Sequence, residues 1–371
     1  MKSTTILGQK SFGIASDKVE AWITETGGQV APVTFHLPHG DVEPFSITPW
    51  AEESHEIAPI LQVLRGDFFC MPFGGNDLPY GHEQYPIHGE TANGNWTVES
   101  QTDTSLEMSL QTQIRPGKIL KKVWTVPGQT VIYQRHMITE MTGPMCIGHH
   151  AMVKFKSPGH VSVSPFGFGQ VFPDEFENPI IGGYSSLKPG AHFDRLDHVP
   201  SNDGSFADLS RYPAREGFED LVMVYTEKES SFAWSAVSFP EEGYVWFSLK
   251  DPRVLSGTVL WHSNGGRHYA PWSGRHRGVL GVEEVTSYMH YGLQGSVAEN
   301  AGNLAGFRTY FDLDPKHPLV VNSIIGVAPC RGNAGAVKKI DLLDYGILIS
   351  MDSGEEINVE LNAGEITGTS F

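Results

Sequence analysis

Cysteine, basic residues and long apolar runs are all scarce in this chain. Only Cys70, Cys146 and Cys330 occur in 371 residues. Odd in number and far apart, they form no C-x-x-C pair, which argues against a disulfide framework, a zinc knuckle or a dithiol redox site and leaves buried thiols. Lys and Arg total 26 against 43 Asp and Glu, a formal net charge of −17. That balance repels phosphate backbones and no local basic run counters it, so nucleic acid is not an expected partner. No stretch approaches the roughly 20 apolar residues of a membrane-spanning helix, and the opening "MKSTTILGQKSFGIASDK" lacks the apolar centre of a secretory signal. The expectation is a cytoplasmic protein without a membrane partner.

Helical periodicity is scarce too. Forty-one Gly and 24 Pro punctuate the chain, and few windows carry apolar residues at helical spacing for three turns. "SVAENAGNLAGF" is the one predicted helix. Alternation of period two dominates instead: "SLEMSLQTQI" sets Leu106, Met108, Leu110, Thr112 and Ile114 on one face, the pattern of a half-buried strand. "ILKKVWTVPGQTVIYQRHMITEM" reads as an antiparallel hairpin turning at Pro127-Gly128-Gln129. "KVEAWITETGG", "SFAWSAVSF", "GYVWFSLKD", "GTVLWHS" and "EEINVELNAGEI" add strands. Between about Lys156 and Gly217 the chain turns rich in Gly, Pro, Asp and Ser, as long loops laid over a scaffold would. With 40% hydrophobic residues for a core, this predicts an all-β fold, a large antiparallel β-sandwich with few short helices, spanning residues 1–371 as a single domain.

Familiar chemical signatures are missing as well. There is no G-x-S-x-G elbow, no cysteine nucleophile signature, and "MPFGGND" lacks the Lys-Ser/Thr of a phosphate loop, so nucleophilic hydrolysis, kinase and hydride-transfer chemistry are not expected, nor is a cofactor. Sixteen histidines raise the question of metal. "GHEQYPIHGE" gathers His82, Glu83, His88 and Glu90 within nine positions, but has neither the zincin spacing nor the His-x-His-Glu order of a cupin. No metal ligand is assigned.

What remains is general acid–base chemistry from dispersed His and Glu. His88 lies in a Gly- and Asn-rich turn; His149 and His150 open an apolar strand in "CIGHHAMVKF"; Glu283 and Glu284 sit inside another in "GVLGVEEVTSYMHYG". Neighbours on a strand point to opposite faces, so one member of each pair can face a given cleft. A carboxylate in an apolar strand is costly unless paired or functional. Each residue also has a plain structural reading: His88 bonding to backbone, His150 satisfied in the core, Glu283 an edge-strand charge or half of an ion pair.

The order of these stretches resembles the galactose mutarotase-like family, the aldose 1-epimerases and their relatives. "VEAWITETGGQVAPVTF" is similar to the family's opening strands around a Gly-Gly turn. "LRGDFFCMPFGGND" and "IHGETANGNW" follow its Arg-Gly, Pro-x-x-Gly and His-Gly sequence leading to Trp. "IGHHAMV" stands where the family has His-Pro-Tyr-Phe, and "VLGVEEV" where it has Ile-Glu-Pro. The likeness spans Val19 to Tyr291. It implies a cofactor-independent aldose 1-epimerase interconverting sugar anomers, with Glu283 as general base, His150 as general acid, His88 as a second active-site histidine and Arg65 as a ligand of sugar hydroxyls. The expected charge state is a carboxylate beside a protonated histidine.

Trp261 and Trp272 are candidates to stack on a pyranose, with core packing the alternative for Trp261. Asp194 is assigned as the substrate-binding aspartate. Departures from the family pattern are Ala-Met-Val after His150 and the lack of an arginine after His88-Gly89, which argues against a hexose phosphate, although Arg275 and Arg277 could clamp one. The expected partner is a small-molecule sugar, and the protein itself a monomer or homodimer. Two alternatives stand beside this reading: a carbohydrate-binding protein of the same fold without catalysis, and a metal-dependent β-barrel sugar isomerase built on the His82–Glu90 cluster.

Overall fold

The alternating and apolar runs pair as antiparallel strands in a computed structural model that describes residues 2–368. Two large sheets form the body. One has nine strands and the other eight, and they pack face to face. Their inner faces meet at contacts such as Phe69 stacked on the His136 ring, with centroids 4.1 Å apart. A five-stranded sheet formed by residues 3–42 precedes them. The predicted hairpin is present as Gly117–Trp124 and Val131–Thr139, with Trp124 opposite Tyr133. Its neighbour Ser105–Thr112 buries Leu106, Met108 and Leu110, as the alternation requires.

Strand Tyr244–Lys250 is buried at every residue because both faces of the nine-stranded sheet are covered. Trp246 faces the main core. Val245, Phe247 and Leu249 face a second apolar layer, supplied by a three-stranded sheet of Val337–Leu343, Gly346–Met351 and Glu356–Glu360. A strand wetted on one side would alternate; one sandwiched on both sides reads as a continuous apolar run.

The predicted helix "SVAENAGNLAGF" is instead two short ones, Gly292–Val297 and Ala301–Leu304. The break falls at Asn300, whose side chain caps the second helix by accepting from the Asn303 N–H while Asn303 bonds back to the Asn300 N–H. Asparagine favours this reciprocal cap over a place inside a helix. Among the described residues no helix is long and apolar enough to cross a membrane.

Candidate active site

Strand Val279–Thr286, in the eight-stranded sheet, is buried throughout, so its two adjacent carboxylates must each be accounted for. Strand geometry sends them to opposite faces. Glu284 turns inward between the large sheets, where it pairs with Lys250 and accepts hydroxyl hydrogen bonds from Ser235 and Thr258, both at 2.7 Å. Glu283 turns outward, beneath the side chains of the neighbouring strand Gly257–Asn264. Gly281 makes room for it: a Cβ there would lie 2.7 Å from Glu283 Oε1.

The two histidines divide in the same way. His149 faces inward, with Nδ1 2.9 Å from Asp67 Oδ2. The register that pairs Gly148 with Val285 and Ala151 with Val282 sets His150 across from Glu283. His150 Nε2 lies 3.4 Å from Glu283 Oε1. Its ring stacks on Phe68 at 4.7 Å and meets the edge of His88 at 4.9 Å.

His88 adopts a left-handed conformation (φ 57°) at the start of the short helix Gly89–Asn93. Its N–H donates to the Gly74 carbonyl at 2.7 Å, and its Nδ1 accepts from the Gly74 N–H at 3.4 Å. Gly89 follows, also at positive φ, and a Cβ there would lie 1.9 Å from the Met71 carbonyl oxygen, so the turn that aims His88 requires glycine. An imidazole accepting at Nδ1 carries its proton on Nε2 when neutral.

These groups line a narrow cleft of about 60 Å³. Trp261 and Trp272 form one wall, their rings edge to face at 5.9 Å. Arg267 lies against both, its guanidinium carbon 4.5 Å from the Trp272 ring centre and 5.3 Å from that of Trp261. Its Nε donates to Glu177 at 2.6 Å. The terminal nitrogens of Arg267 have no acceptor among the described residues, which leaves them for a ligand. His290, 5.0 Å from His88, closes the other side.

Burial dominates the electrostatics. Loss of solvent pushes Glu283 well above the ordinary carboxylate range, opposed by the positive charge of Arg267. It lowers His150 to about 3, His276 to about 3, His290 to about 4, and His88 well below the usual imidazole value. Glu219, under Trp261 and bonded to its Nε1 at 3.0 Å, rises to about 7 for the same reason. Desolvation thus works against the carboxylate–imidazolium pair expected from the sequence and favours a protonated Glu283 beside a neutral His150, the two 3.4 Å apart. Glu283 Oε2 and His150 Nδ1 are both buried without a hydrogen-bond partner, as polar atoms awaiting a ligand would be.

Other expected residues lie elsewhere. Arg65 is corrected from a sugar ligand to a structural group. Fully buried, it donates from Nε to Val63 and from its terminal nitrogens to the Ile6 and Leu7 carbonyls at 2.8–3.0 Å, and it does not line the cleft. Asp194 is exposed and likewise absent from the cleft wall. Arg275 pairs with Glu53 and Arg277 with Glu216, so neither is poised as a phosphate clamp.

The histidine-rich stretch disperses as well. Glu83 grips Arg115, Glu90 accepts from the Gln113 and Ile114 amides, and His82 is exposed, while only His88 reaches the cleft. No group of three or more His, Cys, Asp or Glu among the described residues is arranged to hold a metal ion.

Arg267 and His290 were not singled out from the sequence. Arg267 sits in "SNGGRHYAPW", where a Gly-Gly pair ends a buried strand and an arginine follows before two aromatics. His290 follows Met289, another residue at positive φ, in the turn after the Glu283 strand, and its carbonyl accepts from Gly75. Turn chemistry adjoining a site strand was the available signal.

No protein-family model matches the sequence, and no curated protein matches it. Solved structures do. A candidate aldose 1-epimerase from Escherichia coli K12 superposes with a TM-score of 0.59 at 11% identity, over 86% of this chain and 99% of that one. A galactose mutarotase related enzyme from Lactobacillus acidophilus gives 0.56 at 11% identity, covering 86% and 98%. A galactose mutarotase-like protein from Lactobacillus casei gives 0.56 at 11% identity, covering 86% and 100%.

Proposed function

Starting from a galactose mutarotase-like fold, we propose that this protein is a sugar isomerase of the aldose 1-epimerase type, with Glu283 and His150 as its acid–base pair. The observation that carries the proposal is their placement, 3.4 Å apart on neighbouring antiparallel segments of one sheet, in a narrow cleft walled by two tryptophans and an arginine. Converting one anomer to the other requires removing the proton of the anomeric hydroxyl and delivering one to the ring oxygen as the bond from C1 to that oxygen breaks. The open-chain carbonyl then rotates and the ring closes.

The pair shares one proton, and that is the count the reaction needs. Neutral Glu283 with neutral His150 holds the same number of protons as a carboxylate with an imidazolium. If Glu283 protonates the ring oxygen while His150 takes the hydroxyl proton, opening leaves the pair in its ionic form. Closure with the roles exchanged restores the neutral one. The roles that the family resemblance implies, Glu283 taking the hydroxyl proton and His150 protonating the ring oxygen, describe instead an opening that starts from the ionic form. A site that must run both ways is served by partners whose two proton arrangements are both accessible.

Arg267 takes the part first assigned to Arg65. Its terminal nitrogens are free to donate to sugar hydroxyls, and its charge favours the ionised form of Glu283 when the ionic arrangement is needed. His88 and His290 supply further imidazole donors around the sugar. Trp261 and Trp272 offer apolar faces against which the C–H side of a pyranose can lie.

Saturation-transfer NMR on a panel of aldoses, uronates and hexose phosphates tests this directly. The expected result is protein-dependent exchange between the two anomeric proton signals of at least one sugar, abolished by Glu283→Gln. Binding of a sugar without exchange would instead identify a carbohydrate-binding protein of this fold.

A further inference from the structure

The loops between Phe172 and Phe218 are longer than the scaffold requires, and they enclose a second hollow. It holds about 340 Å³ and abuts the cleft, Phe176 and Leu221 lining both. Glu177, on its wall, is the residue that holds Arg267 in the cleft. We propose that the two hollows form one elongated site, in which the reducing-end ring of an oligosaccharide lies against Glu283 and His150 and at least one further neutral sugar unit occupies the loop compartment. This rests on the sugar-isomerase reading and names its substrate class.

Three features of the compartment support a sugar occupant. Aromatic rings line it at Phe172, which stacks on Tyr291 by one face, at Phe176, and at Tyr184, which is 41% exposed and meets His268 edge to face. Polar groups with unused capacity stand beside them. Ser185 Oγ is buried without a hydrogen-bond partner, and Asp174 accepts from the Tyr291 hydroxyl through one oxygen, leaving the other for a ligand. Stacking faces interleaved with hydroxyl-binding groups suit a ring with one apolar face and an equatorial rim of hydroxyls.

Charge then narrows the class. Four carboxylates line the compartment. Glu177 is neutralised by Arg267, and Asp220 by Arg215 together with the Ser186 and Leu187 amides. Asp174 and Glu175 have no cationic partner among the described residues. An unbalanced negative wall disfavours a uronate or phosphorylated unit there and accepts a neutral or amino-bearing one. Beyond the compartment a third, more open hollow continues through Ser185 and Asn202, so the path does not end after two units.

The test compares glucose, galactose and mannose, each alone and as the reducing unit of a disaccharide, using ligand-observed NMR for binding and saturation transfer for anomer exchange. At least one disaccharide is expected to bind about tenfold more tightly than its reducing-end monosaccharide, a gap of roughly one decade in Kd. Tyr184→Ala should shrink that ratio toward one, and a terminal uronate should weaken binding in a way that Glu175→Gln relieves. The proposal is overturned if no disaccharide of the panel outbinds its monosaccharide, or if Tyr184→Ala affects both alike. The two readings fail separately: binding preference without exchange of any sugar would sink the isomerase and leave the compartment standing, whereas monosaccharide exchange without a disaccharide preference would do the reverse.

Discussion

Glu283 and Glu284 share a strand and a side-chain chemistry, yet the same substitution should affect them in opposite ways. Glu283→Gln removes a proton-transfer group whose Oε2 has no hydrogen-bond partner. Turnover should fall on the order of 10² to 10⁴ while stability to urea at pH 7 is kept or raised, because the amide replaces a buried carboxyl whose ionisation the fold disfavours. Glu284→Gln leaves Lys250 buried without a counter-charge, and should cost about 3–5 kcal/mol in the same unfolding experiment while the folded fraction keeps its kcat. Should Glu284→Gln abolish turnover at full stability, the assignment of faces is wrong. The acid–base pair also fixes a pH dependence. Its one-proton form persists from His150's value of about 3 up to the raised value of Glu283. So kcat/KM should hold level on the acid side and decline as pH rises through the Glu283 ionisation, a limb that Glu283→Gln removes.

At the scale of elements, the strands were legible because burial and alternation are local. "SLEMSLQTQI" and the hairpin around Pro127-Gly128 carry their period within a few residues. Of the site, His88, His150, Glu283 and both tryptophans were accessible to sequence reasoning, and the structure brings these five to one cleft. Arg65 misled because a motif fixes order along the chain but not where a long side chain ends. Its guanidinium satisfies the Val63 carbonyl and two more near the N-terminus, at Ile6 and Leu7, and nothing local announces the distant pair. Arg267 was invisible for the converse reason: its neighbours Glu177 and Trp272 are set by loop packing across the chain. The C-terminal three-stranded sheet belongs to this scale as well. It covers the face of the nine-stranded sheet remote from the cleft, with Ile349 fully buried in the layer between. Ile349→Ala should therefore destabilise by about 2–5 kcal/mol in urea titration while kcat and KM remain those of the wild type. A shift in KM would mean that this layer communicates with the site.

Across the whole molecule, buried neutral histidine is the unusual component. His88, His136, His150, His262, His276 and His290 all sit below the ordinary imidazole value because burial penalises the charged ring. Once unfolded, each would take up a proton near pH 6.5. The stability that each contributes is present above that pH and is lost as pH falls toward its folded value, at about 1.4 kcal/mol per unit. Glu219 and Glu283 act in the other sense. Their folded values are raised, so they add stability as pH falls toward 4.5. The histidines outnumber them three to one. Net charge also opposes the histidines, since the −17 that strains the fold at pH 7 shrinks on acidification. Thermal melts from pH 7 to pH 5 should nonetheless show Tm falling by several degrees, with protons taken up on unfolding. A Tm that held or rose over that interval would mean that the histidines are charged in the folded protein. The neutral Glu283–His150 pair, which depends on the same burial, would then have to be abandoned with them.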